Sequence, residues 1–153
     1  MTATPSELLE RWVARQAEPA AWAWLEERLA ALAAGAPERE LYITLGFIPR
    51  KLGKADLALD DADRAAADAA RPDWRVDGWS LDGAARVLTL LTWRGERPFA
   101  ETFKQLRRTA DARELVAFYR GLPVYPEPAS LEPEAAEGLR TNMRAVFEAI
   151  AHE

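Results

Sequence analysis

Three short stretches gather the side chains best suited to holding an anion: Pro49-Arg50-Lys51-Leu52-Gly53-Lys54, Tyr119-Arg120-Gly121-Leu122-Pro123 and Arg140-Thr141-Asn142-Met143-Arg144. Only three of the 20 cations are lysines, Lys51, Lys54 and Lys104. A guanidinium presents a planar fork of donors that matches a carboxylate or phosphate, so the local grouping of arginines matters more than their total. Arg140 and Arg144 stand four apart, on one face of a helix, where like charges repel unless something negative lies between them. Asn142 can donate and accept, and so fix an orientation. Each stretch also has a plainer reading. Arg50, Lys51 and Lys54 can complement a helix C-terminus, an effect of ~0.3–1 kcal/mol each. Arg140 and Arg144 can pair with Glu137 and Glu148, again at helical spacing. Gly121 can be a helix stop closed by Leu122, with Arg120 complementing the helix end. The first stretch is not a phosphate loop, because the glycine-rich run before a Lys-Ser/Thr pair and the preceding strand are both missing.

Other chemistry is scarce. The chain has no Cys and a single His, His152, one residue from its C-terminus. Thiolate nucleophiles, disulfides, His-dependent triads and two-His metal sites are therefore closed to one chain. Ser6, Ser80 and Ser130 fall at cap or loop positions without a base. The acidic run Asp56, Asp60, Asp61, Asp63 lacks the glycine and closing Glu of a calcium loop, and reads as caps and a solvated face. Of the six tryptophans most should anchor the core. Trp74 and Trp79 differ in flanking an aperiodic stretch, Arg75-Val76-Asp77-Gly78, where they could line a pocket for a flat apolar ligand. The net charge of -5 argues against nucleic acid as a partner. No apolar run approaches the ~20 residues of a membrane span, and the N-terminal residues do not read as a signal peptide. A cytoplasmic protein without metal or cofactor is expected.

The elements that must position these groups read as helices throughout 153 residues, 49% of them hydrophobic, a length and composition that suit one domain, 1–153. Thr4-Pro5-Ser6-Glu7 is a capping box ahead of Leu8, Leu9, Trp12 and Val13. Pro19 opens a second helix with Trp22, Leu25, Leu29 and Leu32, ended by Gly35. Pro37 starts a third, which reads as ending near Pro49. Its Tyr42, Ile43 and Thr44 favour strand locally, but no partner strand is visible, so helix is expected. Asp60 caps an Ala-rich helix, and Ser80 caps another with Leu81, Ala84, Leu88 and Leu91 inward. Pro98 opens a helix carrying Phe99, Phe103 and Leu106, and Asp111 with Glu114 caps one ending at Gly121. Pro123, Pro126 and Pro128 form an extended connector. Glu132-Pro133 starts a last helix, with Leu139, Met143, Val146, Phe147 and Ile150 inward. The fold class expected is all-α, an irregular bundle or solenoid-like array of seven to eight short helices.

With these motifs read out, from about Leu41 to the C-terminus the chain resembles the EboA family of bacterial metabolite-traffic proteins. The final motif, Arg140-Thr141-Asn142-Met143-Arg144 with Ala145-Val146-Phe147 after it, is the most specific. The resemblance implies a gene cluster whose other products look like a prenyltransferase, a hydrolase, a dehydroquinate-synthase-like protein and a sugar-isomerase-like barrel. It implies a part in moving a small-molecule precursor towards the periplasm, and it carries over no catalytic residues. The matching polar positions are Arg50, Lys51, Arg120, Arg140, Asn142 and Arg144. Similar proteins continue past the position of Glu153 into further helices, so a site completed there is expected to be incomplete in this chain.

The leading expectation is a non-enzymatic accessory protein that binds an anionic metabolite, or another protein of the same cluster, through those six residues. The alternative is an enzyme using carboxylate acid/base chemistry on a prenyl-type or aromatic substrate, which would need two acids with separated pKa values in one cleft. A purely structural interaction domain is the third reading.

Overall fold

Capping side chains set the starts of four helices in the computed structural model, which describes residues 3–72, 74–94 and 99–125. The N–H of Glu7 donates to the Thr4 hydroxyl at 3.1 Å, that of Asp63 to Asp60 at 2.8 Å, that of Gly83 to Ser80 at 3.1 Å and that of Glu114 to Asp111 at 2.8 Å. Each bond satisfies a donor that the first helical turn leaves without an intrahelical partner. The helices are α1 (Pro5–Gln16), α2 (Pro19–Ala33), α3 (Glu38–Leu52), α4 (Asp61–Ala70), α5 (Leu81–Thr92), α6 (Phe99–Thr109) and α7 (Ala112–Arg120), followed by a 3₁₀ turn, Leu122–Val124. Among the described residues there is no strand, so the architecture is all-α. Pro98, Pro126, Pro128 and the helix expected from Glu132-Pro133 lie outside the described residues.

The strand-favouring stretch in α3 is helical because its alternatives are all satisfied there. Leu41, Leu45 and Ile48 are buried, and the Thr44 hydroxyl bonds back to the Glu40 carbonyl at 2.7 Å. One boundary differs from the sequence reading. The helix does not end near Pro49 but runs through it to Leu52. Proline withholds one helical hydrogen bond. Burial of Leu52 draws the last turn onto the core, and the Gly53 N–H closes it on the Pro49 carbonyl at 3.1 Å.

Helix α5 is the hub. Every residue from Leu81 to Leu90 is buried, and α1, α2, α3 and α7 all pack against it. Each fully buried leucine in this layer, such as Leu8, Leu25, Leu41 and Leu88, contributes about 1.5–3 kcal/mol of transfer free energy. A helix enclosed on every side leaves no solvated face for its charges. Asp82 and Arg86 are 0% and 2% exposed, and Arg86 Nη1 donates to Asp82 Oδ2 at 3.0 Å. Phe103 meets the rings of Phe118, Tyr119 and Tyr125 at 6.4, 5.8 and 5.5 Å, which joins α6 to α7.

The acidic run does structural work. Asp63 caps α4 together with Asp60 and also accepts from Arg15 and from the Trp12 indole N–H, at 2.7 and 3.2 Å, tying α4 to α1. Among the described residues no group of acidic or imidazole side chains could hold a metal ion, and no helix is long and apolar enough to cross a membrane.

Candidate functional site

The chain leaves α3 through Gly53, whose φ of 83° lies in the left-handed region open to glycine. The turn sends residues 54–57 back along the segment that enters α5. There the Leu57 N–H donates to the Trp79 carbonyl at 2.9 Å and the Leu81 N–H to the Ala55 carbonyl at 2.8 Å. These two bonds fix an antiparallel bridge between Asp56 and Ser80. Lys54 and Asp56 are thereby placed beside the N-terminal end of α5.

The opposite wall is α7. Gly83 and Ala117 are small enough for α5 and α7 to approach closely, since a Cβ built at Gly83 would lie 3.6 Å from that of Ala117. Between the helices opens a cleft of about 230 Å³, with Lys54 and Asp56 on the loop side, Trp79 and Ser80 at the head of α5, and Val116 and Arg120 on α7. That volume is below the range typical of drug-sized pockets and suits a head group.

Arg120 is the chemically unsatisfied member. Its Nη1 donates to the Asp77 carbonyl at a long 3.3 Å, and its Nε is buried with no hydrogen-bond partner among the described residues. A guanidinium has five N–H donors, and a buried donor without an acceptor costs ~1–3 kcal/mol, so an acceptor arriving here gains more than at an exposed arginine. The guanidinium lies over Gly78, where φ is 84° and an added Cβ would sit 3.0 Å from Nη1. The helix end itself is not bare: the Leu81 and Gly83 N–H groups already bond Ala55 and Ser80. Side chains rather than backbone donors would therefore carry recognition of an anion.

Of the residues singled out by sequence, Arg120 lines this cleft. Arg50 and Lys51 do not join it. They are exposed on α3, Arg50 over the ring of Phe47 at 5.9 Å and Lys51 over that of Trp24 at 5.7 Å. Arg140, Asn142 and Arg144 lie outside the described residues. The cation that lines the cleft with Arg120 is instead Lys54, the last of the Pro49–Lys54 stretch. Trp74 and Trp79 are core residues, not ligand platforms. They are 4% and 3% exposed and meet edge to face at 5.8 Å, so Trp79 offers the cleft only a sliver of its surface. The buried Asp82–Arg86 pair escaped sequence reading, because an acid and a base four apart usually mark a solvated helix face.

Three carboxylates outside the cleft are held towards their ionised form. Hydrogen bonds to Thr4 hold Glu7 below the ordinary range, the Arg28 guanidinium does the same for Glu40, and Arg15 draws Asp63 down to about 2. Asp56 is the one carboxylate among the residues lining the cleft, so a pair of acids with separated pKa values is not assembled there.

A family model described as metabolite traffic protein EboA matches residues 5–153. No curated protein and no solved structure matches the chain.

Proposed function

The chain belongs to the EboA family of metabolite traffic proteins, and from that premise we propose that it binds an anionic small metabolite, the carboxylate or phosphate head group entering the cleft between α5 and α7. Arg120 would clamp the anion with its fork of donors, Lys54 would add a second positive charge from the facing loop, and Val116 would contact the carbon body of the ligand. The observation that carries this reading is the buried Nε of Arg120, without a hydrogen-bond partner among the described residues, on a side chain lining a cleft that a second cation also lines. Binding rather than catalysis follows from the residues assembled. Among the described residues that line the cleft there is no imidazole, no thiol and one carboxylate, and the Ser80 hydroxyl caps α5. Traffic would then consist of holding the metabolite and passing it on unchanged, in keeping with the family's metabolite-traffic role.

The test uses inorganic phosphate, acetate and benzoate as probes, with binding followed by amide and indole chemical shifts. Millimolar binding that perturbs Gly78, Trp79 and Ala117 is expected, as is its loss in Arg120→Met and a weakening of about tenfold in Lys54→Met. Replacing Arg50 and Lys51 with alanine should leave it unchanged. Binding that survives Arg120→Met, or shifts confined to other surfaces, would overturn the proposal.

A further inference from the structure

The outer face of α3 is chemically one-sided. Both of the helix's carboxylates turn towards the protein: Glu40 pairs with Arg28, and Glu38 accepts from the Tyr42 hydroxyl at 2.9 Å and from Thr102 at 3.2 Å. What remains in solvent along one side is Arg39, Ile43, Gly46, Phe47, Arg50 and Lys51. These positions recur at three- and four-residue steps, so they form a single stripe about 18 Å long. Ile43 and Phe47 are 40% and 42% exposed, the large apolar side chains left bare among the described residues. No carboxylate lies within ion-pair distance of Arg39, Arg50 or Lys51 among those residues. Three cations without a salt bridge among the described residues, bracketing bare apolar groups in a chain whose net charge is -5, are a local reversal of sign, although Arg39 also acts at longer range on Glu40 and Arg50 and Lys51 lie over aromatic rings.

Beside the stripe runs a groove. Tyr42, Leu45 and Gly46 form one bank; Gln105 and Leu106 of α6, Ala110 in the link after it, and Glu114 and Phe118 of α7 form the other, around a groove of about 230 Å³ in which the Glu114 carboxylate is engaged in the capping box of α7. Thr102 of α6 bridges to Glu38 of α3. Gly46 belongs to both features, and nothing lies within 4 Å of where its Cβ would be, so a backbone can come close at that point.

We propose that this face docks an amphipathic helix of another protein, with leucine- or phenylalanine-type side chains in the groove and Asp or Glu on its flanks against Arg39, Arg50 and Lys51. Charge complementarity selects the partner: apolar burial in the groove supplies affinity, and the three cations reject a basic helix. The face is separate from the Arg120 cleft, so docking and metabolite binding can be read independently.

The experiment titrates fluorescein-labelled synthetic helices of about four turns into the intact protein by anisotropy. One carries a leucine stripe flanked by glutamates, and its control has lysines in their place. Preference for the acidic helix by about tenfold or more is expected, declining with added salt. Phe47→Ala should weaken it about tenfold, and Arg39→Glu/Arg50→Glu/Lys51→Glu should reverse the preference, circular dichroism confirming the helical fold of each variant. Equal binding of the two helices, or a preference untouched by the charge reversal, would overturn the proposal. So would sedimentation of the protein with phosphatidylglycerol vesicles in the absence of acidic-helix binding, or a concentration-dependent dimer lost in Phe47→Ala, since either assigns the face to a different occupant.

Discussion

Asp63 offers the most direct quantitative check on how this fold is held. Its carboxylate accepts from Arg15 at 2.7 and 3.2 Å, from the Trp12 indole at 3.2 Å and from the Asp60 N–H at 3.0 Å, and the residue is 8% exposed. The Arg15 hydrogen bonds draw its pKa from 3.8 to about 2. At about 1.4 kcal/mol per pH unit, that gap corresponds to about 2.5 kcal/mol of stability. Arg15 is nearly half exposed, and solvent screens part of the interaction, so about 1–2 kcal/mol is the expected net value. The sign follows from the direction of the shift. The folded pKa lies below the unfolded one, so the unfolded chain binds the proton first. The contribution is complete above about pH 5, declines through 3.8 and is lost as the pH falls through about 2.

Asp63→Asn keeps the size and removes the charge. Urea unfolding at pH 7 should show the variant less stable by about 1–2 kcal/mol, or about 3–6 °C in Tm for a chain of this length. The difference between variant and wild type should shrink steadily below pH 4 and vanish near pH 2. A penalty that stays constant down to pH 2 would mean that shape rather than charge is responsible. A variant as stable as the wild type at pH 7 would refute the argument that Asp63 joins α1 to α4.

Two further substitutions probe the core and the turn after α7. Asp82→Ala leaves Arg86 buried without its counter-charge and should cost about 3–5 kcal/mol, whereas Asp82→Leu with Arg86→Met should come within about 1 kcal/mol of wild type or exceed it, read by urea unfolding. Gly121→Ala places a Cβ 2.4 Å from Tyr125, whose ring is buried and whose hydroxyl donates to the Phe118 carbonyl at 2.6 Å. It should destabilise by about 1–3 kcal/mol, and by less in a Tyr125→Leu background, as measured by the same unfolding titration.

How far the sequence carries depends on the range of the physics involved. Caps act over three residues, so Thr4-Glu7, Asp60-Asp63, Ser80 and Asp111-Glu114 announce their helices directly, and with them the all-α class. Helix ends governed by burial are less visible: Pro49 reads as a stop, and only the packing of Leu52 shows why it is not one. Gly121 stops α7 where the sequence reading placed the stop, but with a φ of -79° rather than a left-handed turn, and what it supplies is room for Tyr125. Arg120, Lys54 and Trp79 of the cleft were each singled out in sequence, but in separate stretches and not as one site. Gly78, Trp79 and Lys54 come from segments about 40 to 66 residues away from Arg120, joined through helix packing that no local pattern encodes.

The stretch from Pro49 to Lys54 shows how a charge cluster in sequence differs from a charge cluster in space. Arg50 and Lys51 stand on the last turn of α3, where helical geometry commits them to the same outward side as Ile43 and Phe47. Two residues later Gly53 adopts a φ of 83°, and the chain turns along the entry to α5. Lys54 thereby leaves the stripe and faces the cleft of Arg120. One run of cations thus serves two surfaces with different demands, a fixed small anion in one and a screened, side-by-side helix contact in the other. A side chain at residue 53 would be strained in that backbone conformation. Relaxing the turn would move Lys54 relative to Arg120 while leaving Arg50 and Lys51 on their helix. The separation of the two proposed activities therefore rests on one left-handed residue between them.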